Sequence, residues 1–206
     1  MTPLRKLVLC LSCITLLLIA CQEEEQRSLL PADCDIRPGD LLFRRGTGLT
    51  SHTVVLADKK GQYSHVGIAV DSAGTVMVVH AVPGEPDYEG DPDRVKMEPA
   101  EKFYSTINAS AGEICRPLNP DVGSKAAEAA LAIYHNGMLF DHQYDSADTT
   151  KMYCTELVVH AYHRAGVELV GSKRHHVDIP FLKMDCMFPS DVLESEQLES
   201  KYKFSL

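Results

Sequence analysis

The sequence lacks several features that would indicate particular classes of function. It has no long basic run, no internal repeat and no cysteine spacing typical of zinc sites. Its formal charge is −9, and an acidic protein repels nucleic acid and anionic lipid, so neither is expected as a partner. With 206 residues, 45% of them hydrophobic, the chain is long enough to bury the core of one globular domain.

The N-terminus carries the signals of an exported lipoprotein. Arg5 and Lys6 precede an apolar stretch at residues 7–19, which is short for a membrane span and typical of a secretory signal. It ends in LIAC at residues 18–21, which resembles a lipobox, where the chain is cut before an acylated cysteine. We therefore expect a signal peptide at 1–20, lipidation at Cys21, a polar tether over 21–35 and one folded domain over 36–206.

A lipid anchor at Cys21 predicts attachment to a membrane in the cell envelope. Gln22 stands where an aspartate would resemble an inner-membrane retention signal, so the outer membrane of a Gram-negative bacterium is favoured. Whether the domain faces the periplasm or the medium stays open, as does the oligomeric state. In this oxidising compartment Cys34, Cys115 and Cys186 could form at most one disulfide if a fourth cysteine, Cys154, is a free thiol.

A β-hairpin carries two histidines. Strands are predicted at residues 66–70 and 75–80 around a four-residue turn at 71–74. With that turn His65 lies directly opposite His80 on the same face, with their Cβ atoms ~5 Å apart. Gly67 and Ala69 share this face, and their small size predicts that another element packs closely there, with the helix that bears the nucleophile as the expected one.

A helix predicted over residues 153–165 carries the candidate nucleophile. Cys154 begins a stripe of small and apolar residues spaced as one buried helix face, and Gly166 ends the helix. In the first turn the positive helix end stabilises a thiolate, and the backbone N–H of Cys154 can donate to an oxyanion. A buried cysteine of purely structural role is the alternative. Antiparallel strands and helices segregate along the chain, so the fold class is α+β.

Several segments together resemble a known enzyme family. They are YSHVGI at 63–68, VHAVPG at 79–84 and YCTELV at 153–158, with PGDLLF at 38–43, RP at 116–117, YD at 144–145 and FPSD at 188–191. In order and spacing they resemble the YiiX/YaeF-like, circularly permuted papain-fold amidases of the NlpC superfamily. The resemblance implies an antiparallel sheet packed on a helix that bears the catalytic cysteine, with the histidine strand before that helix.

The resemblance also implies roles. Cys154 is expected as nucleophile, His65 as base and His80 as the residue that orients His65. Many members have a carboxylate in the third role, and a histidine there resembles the relatives of lecithin:retinol acyltransferase instead.

We therefore expect a cysteine amidase or peptidase of the cell envelope, acting on cell-wall peptides or related acyl amides. It would need no metal and no organic cofactor. An acyl-lipid or ester hydrolase or acyltransferase with the same triad is the alternative, and a non-catalytic binding module is a third. A large apolar groove beside Cys154 would favour the acyl substrates, and a narrow polar cleft would favour peptides.

Overall fold

Ten strands lie in the part of the chain that the computed structural model describes, residues 27–59, 61–145, 148–179 and 182–206. The strands are β1 Leu41–Gly46, β2 His65–Ser72, β3 Thr75–Val82, β4 Arg94–Pro99, β5 Ala109–Pro117, β6 Leu139–Phe140, β7 Lys151–Met152, β8 His175–Ile179, β9 Leu182–Cys186 and β10 Leu198–Ser205. Eight of them form one sheet in the spatial order β10-β5-β1-β2-β3-β4-β6-β7. All neighbours in this sheet are antiparallel except β6 and β7.

Five helices accompany the sheet within the described residues. They are α1 Leu49–Ala57, α2 Ala100–Phe103, α3 Pro120–His135, α4 Cys154–Arg164 and α5 Pro189–Leu193. Asn119 caps α3 by accepting from the backbone N–H of Asp121, and Pro120 stands in its first turn. Gly166 has φ +87° immediately beyond α4, which confirms the predicted helix stop. The predicted α+β class is confirmed.

The hairpin of β2 and β3 forms with a register two residues away from the predicted one. Its turn contains only Ala73 and Gly74, with φ values of 54° and 82°, and Ser72 pairs with Thr75. His65 is therefore diagonal to His80 and not directly opposite it. Because a shift of two residues preserves the face of a strand, both side chains still lie on the same side of the sheet.

The two faces of the sheet bury different partners. One face packs against α3 and α4, through residues such as Val66 and Ile68 with Leu157 and Ala161. The other face, with Ala69 and Val78, packs against α2 and Tyr104. The prediction that the cysteine helix packs over Gly67 and Ala69 is therefore wrong, because α4 lies on the opposite face.

His80 explains why residue 67 is a glycine. A Cβ added at Gly67 would lie 3.1 Å from the Cβ of His80 and 2.5 Å from a methyl of Val78. The space beside Gly67 is filled by the hairpin itself, and no helix is needed to account for it.

Both ends of the described chain join the sheet. At the C-terminus, β10 pairs with β5 as an edge strand. The separate hairpin of β8 and β9 precedes it. Near the N-terminus, Leu29 and Leu30 already pack against the apolar cluster around Tyr104, so contact with the sheet begins before residue 36.

The predicted signal peptide and Cys21 lie outside the described residues. Among the helices that are described, none has both the length and the apolar composition needed to cross a membrane.

Candidate active site

A cavity of about 370 Å³ opens where β2 begins and α4 begins. His65, the first residue of β2, and Cys154, the first residue of α4, both line it. Two parts of the sequence that lie almost ninety residues apart in the chain therefore contribute to one pocket. The described structure brings together all three of the predicted site residues of the domain, since His80 lies directly behind His65.

The two histidine rings are hydrogen-bonded to each other. His65 Nε2 lies 2.9 Å from His80 Nδ1, and both side chains are buried. This bond occupies Nε2 of His65 and leaves its Nδ1 to exchange a proton with a group in the cavity. Phe103 packs against both rings, with centroid distances of 5.6 Å to His65 and 5.2 Å to His80.

Glu98 continues the chain of polar contacts beyond His80. Its Oε1 lies 3.2 Å from His80 Nε2, and the carboxylate is 2% exposed. For Nδ1 of His65 to accept a proton, Nε2 of His65 must carry one and donate to His80. Then His80 must carry its own proton on Nε2, facing Glu98. The carboxylate therefore favours the pair of tautomers that a base at His65 requires.

Two cations surround Glu98. Lys102 Nζ lies 3.3 Å from its Oε2, and Arg44 Nη1 lies 4.0 Å from its Oε1. Burial raises the pKa of Glu98, but the hydrogen bond with His80 and the charges of Arg44 and Lys102 outweigh it, so the pKa is about 2. Glu98 is thus held as an anion, although it is buried.

Arg44 also bonds to groups around Glu98 and the two histidines. Its Nη1 donates to the carbonyl of Phe103 at 2.9 Å, its Nη2 bonds Glu85, and its guanidinium lies 4.6 Å from the Phe103 ring centre. Arg44 and Glu85 both line the cavity. The arginine therefore joins the strand β1, the loop after β3 and the aromatic ring behind the histidines.

Cys154 occupies the first position of α4, with Tyr153 as the N-cap residue. Its side chain is half-buried, and its Sγ accepts from the backbone N–H of Val66 and lies 3.8 Å from Thr155 Oγ1. The Tyr153 hydroxyl accepts from the backbone N–H of Met187 at 2.9 Å and ties the start of α4 to the segment after β9. The sulfur also accepts from the backbone N–H of Thr155 in the first helical turn, a group that has no partner within the helix.

Burial opposes charge separation in the empty cavity. Desolvation raises the pKa of the Cys154 thiol, and the bond from Val66 only partly offsets it. Desolvation, Arg44 and His80 lower the pKa of His65 well below its ordinary value. The resting site therefore favours a neutral thiol beside a neutral imidazole, in place of the thiolate that the helix position alone predicts.

Sequence reasoning missed Glu98 and the structural role of Asp141. Tyr144 lines the cavity with φ +54°, a left-handed conformation that is uncommon for a tyrosine. The buried Asp141 carboxylate accepts from the backbone N–H groups of Gln143 and Asp145 at 2.8 and 2.6 Å, which holds this turn. No local pattern signals Glu98: it lies two residues after Lys96, and only the pairing of Lys96 with His80 places it on the face of the histidines.

Cys34, Cys115, Cys154 and Cys186 are all free thiols in this structure. Cys186 is buried and also lines the cavity, so it is a second thiol close to the candidate nucleophile. Within the part of the chain that is described, no group of three or more His, Cys, Asp or Glu side chains is arranged to hold a metal ion.

Comparison with known proteins gives a family and a fold. No curated protein sequence matches the chain. The crystal structure of the metalloprotein YiiX from Escherichia coli O157:H7 is similar, with a TM-score of 0.64 and 20% sequence identity over 81% of this chain and 97% of that chain. This similarity supports the papain-like fold. The family model of the permuted papain-like amidase enzymes, YaeF/YiiX, C92 family, matches residues 35–200, so the chain belongs to that family of cysteine amidases.

Proposed function

We propose that the protein is a cell-envelope cysteine hydrolase that cleaves an amide bond with Cys154 as nucleophile, His65 as base and His80 as orienting residue. The observation that carries the proposal is the shared cavity: the first residue of α4 and the first residue of β2 both line it, and His65 is hydrogen-bonded to a buried histidine. A nucleophile beside a base that is held by a third group is the arrangement of a thiol hydrolase.

The geometry supports a defined order of proton transfers. As the thiol of Cys154 attacks the carbonyl carbon, Nδ1 of His65 takes its proton and then returns it to the leaving amine. The backbone N–H of Cys154 donates to the oxyanion at the N-terminus of α4. Water, activated by His65, then hydrolyses the thioester and releases the acid. Since burial favours neutral partners, the proton moves during the attack and not before it.

The lining of the cavity supports an acyl group as the part of the substrate that enters it. Apolar side chains from several elements surround Cys154, among them Val54, Val82, Ile107, Phe140, Met187 and Phe188. A cavity of about 370 Å³ falls in the range that small organic ligands occupy. This observation favours an acyl amide over a polar peptide, and it keeps an acyl ester as a second candidate substrate.

The location is part of the same proposal. Arg5, Lys6, the apolar stretch at 7–19 and Cys21 support export and lipid anchoring, and the acidic mature chain, with a formal charge of −11 after loss of both cations, would be tied to the membrane by lipid. Gln22 supports the outer membrane.

Turnover of chromogenic amides tests the chemistry. Medium-chain fatty acyl p-nitroanilides and peptidyl p-nitroanilides are offered to the mature protein, and release of nitroaniline is followed. We expect hydrolysis of the acyl compound, with a loss of about 10⁴-fold or more in Cys154→Ala and in His65→Ala. Because both residues act on one step, the double variant should lose no more than either single variant.

Cys186→Ala is the matched control, because Cys186 is a second thiol of the same cavity. It should retain turnover and still form an acyl-enzyme detectable by mass spectrometry with an activated acyl ester. Turnover that survives in Cys154→Ala, or that disappears in Cys186→Ala, would contradict the assignment. If Cys154 reacted neither with activated esters nor with iodoacetamide, the protein would instead be a non-catalytic binding module.

A further inference from the structure

On the side of helix α1 and Ile107, the surface beside the cavity is apolar. Leu49 and Leu56 of α1 are 84% and 82% exposed, and Ile107, whose side chain also lines the cavity, is 61% exposed. Helix α1 buries none of its residues. Residues 46–57 contain no Asp, Glu, Lys or Arg, although 24% of the chain is charged. We call Leu49, Leu56 and Ile107 the apolar rim.

The two leucines share one side of α1. They are seven residues apart, which returns a helix to nearly the same direction after two turns. Thr50, Ser51 and Val54, which line the cavity, lie on the other side of the helix. Helix α1 therefore forms a wall of the cavity with its inner side and exposes the two leucines with its outer side.

The chain enters the domain next to this rim. The carbonyl of Arg27 accepts from the backbone N–H of Thr106 at 2.8 Å, and Ser28 forms a β-bridge with Ser105. Thr106 is the residue before Ile107, and the hydroxyl of Thr47, two residues before Leu49, donates to the carbonyl of Ile107. The first described residue is thus fixed beside the cavity mouth.

The length of the preceding segment limits how far the rim can lie from the predicted anchor. Only residues 22–26 separate Cys21 from Arg27. A fully extended chain spans at most about 3.3–3.6 Å per residue, so Arg27 lies within ~20 Å of the acylated cysteine. An anchor at Cys21 would hold the apolar rim at the height of the lipid headgroups.

We infer that the apolar rim is a membrane-contact surface, with Leu49, Leu56 and Ile107 inserted among the lipids of the bilayer that holds the anchor. This inference rests on the proposed lipidation of Cys21. It deepens the proposed function, since the cavity then opens toward the membrane and its substrate is an amphiphile that enters from the lipid. Exposed leucines on a helix without charged residues fit the apolar boundary of a bilayer.

The absence of tryptophan from the sequence makes a direct test possible. Leu49→Trp and Leu56→Trp each introduce a single fluorescent reporter at the rim. Leu118→Trp is the control, because Leu118 is also exposed, at 60%, but follows the far end of β5. That position is nine residues from Ala109, or about 30 Å along an extended strand.

Each lipidated mature variant is reconstituted into vesicles of phosphatidylcholine, with and without bromine on the acyl chains, and isolated by flotation. We expect bromine to quench the tryptophan fluorescence of the Leu49→Trp and Leu56→Trp variants at least twofold and to leave that of the Leu118→Trp variant unchanged. Equal quenching at all three positions, or none at the rim, would overturn the inference while anchoring stands. A chain that does not float with the vesicles would overturn both the inference and the lipidation, whereas the p-nitroanilide assay tests the hydrolase separately.

Discussion

The two sides of the candidate active site are built in opposite ways. On the base side, strands β1 and β4 and helix α2 surround His65 and His80 with the ions Arg44, Glu98 and Lys102. On the nucleophile side, the sulfur of Cys154 accepts from the backbone N–H groups of Val66 and Thr155, with the hydroxyl of Thr155 nearby. The base side surrounds its histidines with ions, whereas the groups that donate to the sulfur are uncharged.

This difference explains how a buried thiol can react. A carboxylate held near a pKa of 2 keeps a negative charge behind His80 throughout the reaction. The imidazolium that forms when His65 takes the thiol proton is therefore stabilised through His80, although burial disfavours it in the resting site. The base side supplies stabilisation at the moment when charge develops, which is the contribution that accelerates a reaction.

Replacing Glu98 by a neutral residue removes the negative charge behind His80. Of the substitutions considered in this section, it should have the largest effect. We expect Glu98→Gln to lower kcat/KM for the acyl p-nitroanilide by about 10–100-fold, as the loss of a group that orients and stabilises a catalytic base. Without the carboxylate, the pKa of His65 falls further, so the acid limb of the kcat/KM profile should move to lower pH. The pH profile from pH 4 to 9 measures this shift.

Glu101→Gln is the control for that variant, because Glu101 lies only three residues further along the chain, in helix α2, and is exposed. It should leave both the rate and the pH profile unchanged. An unshifted acid limb in Glu98→Gln would mean that the carboxylate is only structural.

The same carboxylate should contribute to stability in a defined pH window. Its pKa is about 2 in the folded protein and ~4.3 in an unfolded chain, so its contribution is present above pH ~4.3 and is lost as the pH falls toward 2. The shift corresponds to at most about 3 kcal/mol. Urea unfolding of wild type and Glu98→Gln at pH 6 and pH 3 should give a larger difference in unfolding free energy at pH 6. If the difference in unfolding free energy between wild type and Glu98→Gln were larger at pH 3 than at pH 6, the lowered pKa of Glu98 would be contradicted.

Gly67→Ala tests whether the base side depends on close packing. The new Cβ would meet the Cβ of His80 and a methyl of Val78, so we expect a loss of about 1–3 kcal/mol in unfolding free energy. Displacement of His80 should also lower turnover. Gly48→Ala is the control for stability, because a Cβ there meets nothing within 4 Å. Thermal unfolding of both variants that gives equal midpoints would refute the packing argument.

The smallest effect is expected on the nucleophile side, at Glu156. Burial and the nearby carboxylates of Asp141 and Asp145 raise the pKa of Glu156 to about 7, against a bond from Tyr153 and the charge of Arg174. A raised carboxyl pKa favours the fold below the unfolded pKa of ~4.3, and that contribution is lost as the pH rises through 7. Glu156→Gln should therefore raise the thermal midpoint by a few degrees at pH 8, relative to its effect at pH 5. A midpoint that falls more at pH 8 than at pH 5 would exclude this account.

Much of the site followed from local sequence patterns. The positions of the histidine hairpin and of helix α4 could be predicted because alternation, turn residues and the Gly166 stop act within a few residues. The register could not, because Ala73 adopts a positive φ and shortens the turn. Glu98 was also missed, because its contact with His80 depends on the pairing of β3 with β4, which a long loop separates in the chain.

The sequence by itself determined the family, the α+β class, the hairpin that bears His65 and His80, and a helix that starts at Cys154, since each depends on short-range order of residue types. Only the tertiary structure decided which face of the sheet receives α4, that Glu98 stands behind His80, and that β10 closes one edge. These features depend on contacts between residues far apart in the chain. Their free energies come from burial and charge pairing, which no local pattern encodes.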